Sequence, residues 1–169
     1  MKPMTDVKTG KLVRTAMFAA LTCIATFIIK IPTPGTGGYI HPGDALVILS
    51  GIFLGPLYGA AAAGIGSAMA DLLGGYFFYA PITLLIKGIV ALVCGQIFKY
   101  SVLNVTNARA KCILCGLFGM GFVTFGYFLF ELLIYGHGAI ASVPANLIQG
   151  LSGLVISNLL YGPLKKIFK

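Results

Sequence analysis

Residues 39 to 87 read YIHPGDALVILSGIFLGPLYGAAAAGIGSAMADLLGGYFFYAPITLLIK. Two short apolar helices and the start of a third are cut apart by Gly55-Pro56 and by Gly74-Gly75, since these residue pairs punctuate helices. Asp44, Asp71 and Lys87 lie in or at the edges of the apolar runs. A charge at membrane depth costs about 2.5–3.5 kcal/mol on insertion scales, so it usually faces a bundle interior or a cavity and marks a site. The small residues from Gly59 to Ala70 allow another backbone to come very close. This stretch predicts a polar site carried on tightly packed small-residue helices.

The composition around it sets the class. Hydrophobic residues make up 58% of the 169 and charged ones 9%, with a mean hydropathy of +0.96. A soluble domain carries about 25% charged residues, so this chain cannot clothe a globule in polar surface. The apolar runs far exceed the ~10-residue alternating strands of a membrane barrel. At ~20 residues per span, the length predicts an all-α six-transmembrane-helix bundle, with residues 1–169 as one integral membrane domain. No length remains for a soluble nucleotide-binding or catalytic domain, no P-loop pattern occurs, and no enzyme activity is expected. Gly64-x-Gly66 is not a dinucleotide fingerprint, because Met69 takes the third glycine's place and no strand precedes it. Helix packing explains these glycines better.

The net charge of +8 raises nucleic acid as a partner, and its distribution argues against that. Lys2, Lys8, Lys11 and Arg14 precede or open the first span, Lys99, Arg109 and Lys111 share one loop, and Lys165, Lys166 and Lys169 end the chain. An even number of spans puts these ten of the twelve basic residues on one side. The positive-inside rule then predicts that both termini are cytoplasmic. The basic start followed by an apolar run mimics a signal peptide, but no clear small-x-small cleavage site follows and further spans come at once; it reads as a retained helix. Cys112-x-x-Cys115 has no second pair or nearby His to complete a metal site. With Cys23 and Cys94, these cysteines read as small packing residues.

Along the chain, a polar tail over 1–11 leads into span one (12–29), stopped by Pro32 and Pro34 and carrying the small pair Ala16 and Ala20 for a close helix contact. Loop one (30–43) has the length of a functional lid or a disordered segment, and it brings Tyr39 and His41 beside Asp44. Span two covers 44–54 and span three 57–73, with Asp71 in its last turn. The loop 74–80 offers Tyr76, Phe77, Phe78 and Tyr79, which either anchor at the membrane interface or stack on a flat ligand. Span four (81–98) carries Lys87 about two turns in, placed either to pair with Asp71 or to meet a ligand. Span five (112–135) holds Glu131 one turn from its outer end. Span six (140–164) has Pro144 in its first turn, with Asn146 and Gln149 on one face. Polar groups thus gather at the outer ends, while the inner ends bring almost only Lys and Arg. The candidate site is His41, Asp44, Tyr76, Tyr79, Lys87, Glu131, Asn146 and Gln149.

With these features in order, the chain resembles a substrate-binding membrane subunit (S component) of an energy-coupling factor (ECF) vitamin transporter, over essentially its whole length. The marks are the short spans, Ala16-x-x-x-Ala20, the long loop before Gly43-Asp44-Ala45, and Phe53 to Gly59 (FLGPLYG) with Gly66 to Asp71 (GSAMAD). Ile86-Lys87-Gly88 and Pro144 to Gly150 (PANLIQG) complete the set. The resemblance implies a multi-pass protein of a prokaryotic plasma membrane that binds a vitamin near the outer face, between spans four to six and under loop one. It implies docking through Ala16 and Ala20 onto a transmembrane coupling subunit, with two ATPases powering transport and no cofactor or metal in the subunit. Within the family it is most similar to the pyridoxine or hydroxymethylpyrimidine branch, then to the riboflavin branch. With Trp absent, stacking falls to Tyr, Phe or His. Two other readings of the residues stay open: an ion- or proton-coupled carrier relaying through Asp44, Asp71 and Glu131, and a passive structural subunit of a larger membrane complex.

Overall fold

The computed structural model describes residues 4–33, 36–100 and 105–168. Lys2, Lys169 and Pro34, on which parts of the reading rest, lie outside the described residues. The described residues fold into helices α1 (Met4–Ile28), α2 (Asp44–Leu54), α3 (Pro56–Leu73), α4 (Ala80–Tyr100), α5 (Ala108–Tyr135) and α6 (Val143–Ile167), with a 3-10 segment, Gly136–Ser142, joining the last two. The all-α class holds. Loop one adds a small hairpin of β1 (Ile31–Pro32) and β2 (Tyr39–Ile40), antiparallel with Ile31 opposite Ile40.

Three helix starts differ from the sequence reading; α6 begins at Val143 rather than 140, because Ile140 to Ser142 belong to the 3-10 segment. α1 begins at Met4 rather than after a polar tail, because no Pro interrupts Met4 to Lys11 and polar character alone stops nothing, Gly10 costing only about 1 kcal/mol. α5 begins at Ala108 rather than Cys112, since Asn107 caps it by accepting a hydrogen bond from the Arg109 N–H at 2.9 Å. The boundaries of α2 are as expected. Its C-terminal turn hinges on Gly55, whose φ of +80° belongs to the region that favours glycine, and Pro56 then opens α3, where its missing N–H costs nothing.

α2 sits at the centre, packed by α1, α3, α4 and α6, and buries Asp44, Ala45, Val47, Ile48, Leu49, Ser50 and Gly51. Small residues permit this crowding. A Cβ on Gly51 would collide with the Ala91 carbonyl of α4, and one on Gly66 would collide with the Ala19 carbonyl of α1. The run from Gly59 to Ala70 therefore does what its composition predicts and brings α3 against both α1 and α4. Val47, Ile48, Ile86, Val90, Cys94, Cys115 and Val123 form the main core. Cys94 and Cys115 face each other's backbone carbonyls across α4 and α5 at 3.7–3.8 Å.

The outer shell of the bundle is apolar. Leu57, Leu133, Leu159 and Ile148 are among many large hydrophobic side chains left exposed, as a lipid-facing perimeter requires. Among the described residues, three helical stretches are long and apolar enough to cross a bilayer: Lys8–Ile28, Ala80–Tyr100, and Ala108–Ile167, which contains both α5 and α6. α2, with 11 residues, is only about 16 Å long and shorter than a full span. The chain ends of α1, α3 and α5 meet the starts of α2, α4 and α6 at one end of the bundle, together with loop one. The opposite end carries Lys8, Lys11, Arg14, Lys99, Arg109, Lys165 and Lys166.

Candidate functional site

The polar groups at the loop-one end fall into two tiers. The deeper tier is built on a buried ion pair: Lys87 Nζ of α4 meets Asp44 Oδ1 at the start of α2 at 2.5 Å, with both side chains essentially inaccessible. Gln149 of α6 donates from Nε2 to Asp44 Oδ2 at 3.1 Å, and its Oε1 accepts the His41 backbone N–H at 3.1 Å. Both ends of the Gln149 amide are thus used, and loop one is tied through it to the ion pair. Gly153 of α6 leaves room for Asp44, because a Cβ there would stand 2.7 Å from the Asp44 Cβ. His41 is buried, and its Nδ1 accepts the Gly43 N–H at 3.1 Å, which fixes it as neutral. Burial, reinforced by the positive charge of Lys87 and only partly offset by Asp44, lowers its pKa to about 3.

The shallower tier is a pocket lined by Thr33, Gly38, Tyr39, His41, Asp71, Tyr79, Thr83, Tyr127, Glu131 and Asn146. Tyr39 donates to Asp71 Oδ1 at 2.6 Å, and burial together with the Asp71 charge pushes the Tyr39 phenol well above its ordinary pKa. The other oxygen, Asp71 Oδ2, is buried and makes no hydrogen bond of ordinary geometry among the described residues, while the Thr83 side chain interacts with the carboxylate. Tyr79 donates to Glu131 Oε1 at 3.0 Å, and Glu131 Oε2 accepts from Ser142. Thr83 and Tyr127 share a hydrogen bond of 2.8 Å. Lys30 packs its ammonium against the rings of Phe27, Tyr39 and Tyr76 at 4.4, 4.9 and 5.2 Å, a cation–π clamp that holds loop one against the ends of α1 and α3. The internal cavity measures about 20 Å³, roughly the room for one water molecule. Any larger guest requires loop one or the Tyr79 side chain to move.

Four of the eight residues selected from sequence, His41, Tyr79, Glu131 and Asn146, line this pocket. Asp44, Lys87 and Gln149 lie about one turn deeper and bond one another. Tyr76 stands in an adjoining open cleft and packs on Tyr39 at 4.4 Å. Lys87 pairs with Asp44 and not with Asp71, because the start of α2 is inserted between α4 and α6. Tyr39, Thr83, Tyr127 and Asp71 also line the pocket and are not among the eight. Asp71 carried a signal as a carboxylate in an apolar helix, whereas Thr83 and Tyr127 carried none, being ordinary residues of apolar helices. Ala16 and Ala20 are exposed on α1, turned away from the face on which Ala19 and Thr22 meet Gly66 of α3. Among the described residues no cluster of His, Cys, Asp and Glu is arranged to hold a metal ion.

The chain is similar to an uncharacterized protein of Pyrococcus woesei, 34% identical over 85% of this chain and 93% of that one. It is also similar to the thiamine precursor transporter HmpT of Lactococcus lactis subsp. cremoris, 29% identical over 95% of this chain and 90% of that one. Among solved structures, its fold matches the S component for biotin of an ECF-type ABC transporter, with a TM-score of 0.64, 20% identity and 95% of each chain covered. The family model for the ECF-type riboflavin transporter S component matches residues 6–166. A lipid-facing bundle of short helices with a closed polar pocket at one end is what such a membrane-embedded vitamin transport subunit needs, and the chain belongs to this ECF S-component family.

Proposed function

We propose that this chain is the substrate-capturing subunit of an ATP-driven ECF importer in the cell membrane. It takes up a compact heterocyclic vitamin or vitamin precursor, with hydroxymethylpyrimidine or pyridoxine ahead of riboflavin. The observation that carries the reading is the pocket under loop one. It combines three tyrosines, an Asn, a Glu and a buried carboxylate oxygen, Asp71 Oδ2, that has no hydrogen-bond partner among the described residues. A buried acceptor without a partner is costly, and a hydroxyl or amino group on a small ring supplies the missing donor. A few oriented polar groups inside an aromatic wall are the usual means of fixing such a ligand. The similarity to HmpT supports a thiamine precursor, and the description of the matching family model keeps riboflavin as the second reading.

The accompanying topology has six membrane helices, of which α2 is a shortened one, and both termini cytoplasmic, which sets the pocket at the outer face. It is supported by the basic residues gathered at the opposite end. The exposed Ala16 and Ala20 on α1 form the docking face for a transmembrane coupling subunit, which two ATPases drive. Mass spectrometry of small molecules released from the purified protein tests the substrate assignment. Uptake into vesicles, with and without the energising subunits, tests the mode of action. Tight binding alone with turnover only in their presence is expected. Uptake by this chain alone along an ion gradient would replace the reading with that of a carrier.

A further inference from the structure

We propose that the open aromatic cleft beside the pocket is a first docking site for the flat ring of the substrate, with the Tyr79 side chain as the partition it must pass. This rests on the proposed function, because the occupant is the same heterocycle. The cleft, of about 380 Å³, lies between Gly37 of loop one, the Gly75–Tyr79 turn, and Ile134 and Tyr135 at the end of α5. Tyr79 belongs to both spaces. It is held by its hydrogen bond to Glu131 and by an edge-on contact with Phe130 at 5.5 Å.

The seal between cleft and pocket is thin on this side. The Gly37 N–H donates to Tyr135 Oη at 3.3 Å in an exposed setting. A Cβ on Gly37 would stand 2.7 Å from that oxygen, and one on Gly38 would stand 3.2 Å from Glu131 Oε1. Two glycines therefore let loop one lie flat against a hydroxyl and a carboxylate. Elsewhere loop one is fastened by the buried bond from His41 to Gln149 and by the Lys30 clamp. The long exposed bond at Gly37 is the weaker fastening, so the boundary opens here first.

The lining argues for a ring rather than an acyl chain. Five of its eight residues carry aromatic rings (Tyr76, Phe77, Phe78, Tyr79 and Tyr135), and Phe77 and Phe78 stand 65% and 85% exposed. Aromatic side chains in this arrangement stack a heterocycle weakly and reversibly. Docking precedes the movement of Tyr79 and loop one, after which the ring reaches Asp71, Glu131 and Asn146.

Stopped-flow binding of the vitamin identified by mass spectrometry, to the purified full chain in detergent, separates the steps. Phe77→Ser alters an exposed side chain and leaves the fold intact. It should slow association and dissociation alike, roughly 3- to 10-fold, and leave the equilibrium affinity unchanged, because the ring crosses this cleft on entering and on leaving. Gly37→Ala should instead speed dissociation by propping the seal. Wild-type binding with association unchanged in Phe77→Ser overturns the docking site, as does a lipid retained in the cleft by wild type and lost in Phe77→Ser without any kinetic effect. A wild-type chain that binds none of the candidate vitamins removes the proposed function and the docking site with it.

Discussion

His41 is buried as a neutral acceptor beneath loop one, and the consequence is a pH dependence of defined sign. Its pKa in the folded protein, about 3, lies below the ordinary value of about 6.5, so between these the unfolded chain binds a proton that the folded chain does not. Stability is complete above pH ~6.5 and falls as the pH drops toward 3, at about 1.4 kcal/mol per pH unit while the difference persists. Thermal unfolding of the solubilised protein should show this loss, and His41→Asn, which keeps an acceptor for the Gly43 N–H, should flatten it. The ion pair beneath obeys a different rule. Lys87→Met strands the Asp44 charge in the core and should cost about 3–5 kcal/mol, read as a lowered unfolding temperature. Adding Asp44→Asn removes the stranded charge and leaves an acceptor for Gln149, so the double variant should recover most of the loss. A double variant no more stable than Lys87→Met would mean that the pair contributes through packing alone.

At the scale of elements, the helices were legible because their cues are local: apolar runs, the Gly55-Pro56 break, and Pro144 at the start of α6. The early starts of α1 and α5 were not, since Lys and Arg read as loop while helix geometry tolerates them. The hairpin in loop one escaped because two-residue strands have no periodicity to detect. The site was legible in part for a related reason. Charges in apolar runs announce that a polar interior exists, but Asp44 and Lys87 are 43 residues apart, and only the insertion of α2 between α4 and α6 decides that they pair. α1 carries its own prediction. Ala16 and Ala20 are exposed while Ala19 and Thr22 pack on α3, so Ala16→Leu or Ala20→Leu should leave vitamin binding by the isolated subunit nearly unchanged and sharply reduce uptake by blocking close helix approach. Wild-type uptake in both variants would reduce the pair to an ordinary lipid-facing surface.

The whole molecule divides its charge between a basic end and a polar end that holds the pocket, where Lys87 is neutralised by Asp44 and Lys30 is held over aromatic rings. If the basic end is cytoplasmic, a cysteine in place of Val105, between α4 and α5, stays unlabelled by an impermeant reagent added to intact cells; labelling there would invert the topology. On the proposed function, the shallow tier under loop one holds the vitamin while the deeper ion pair supports it. Titration calorimetry on the solubilised subunit tests this most directly, comparing wild type with Asn146→Ala and Glu131→Ala. Each substitution removes one polar partner and leaves the other buried and unpaired, so each should weaken binding by roughly 5- to 150-fold, with the folded yield of Asn146→Ala preserved. Unchanged affinity in both variants would move the site away from α5 and α6.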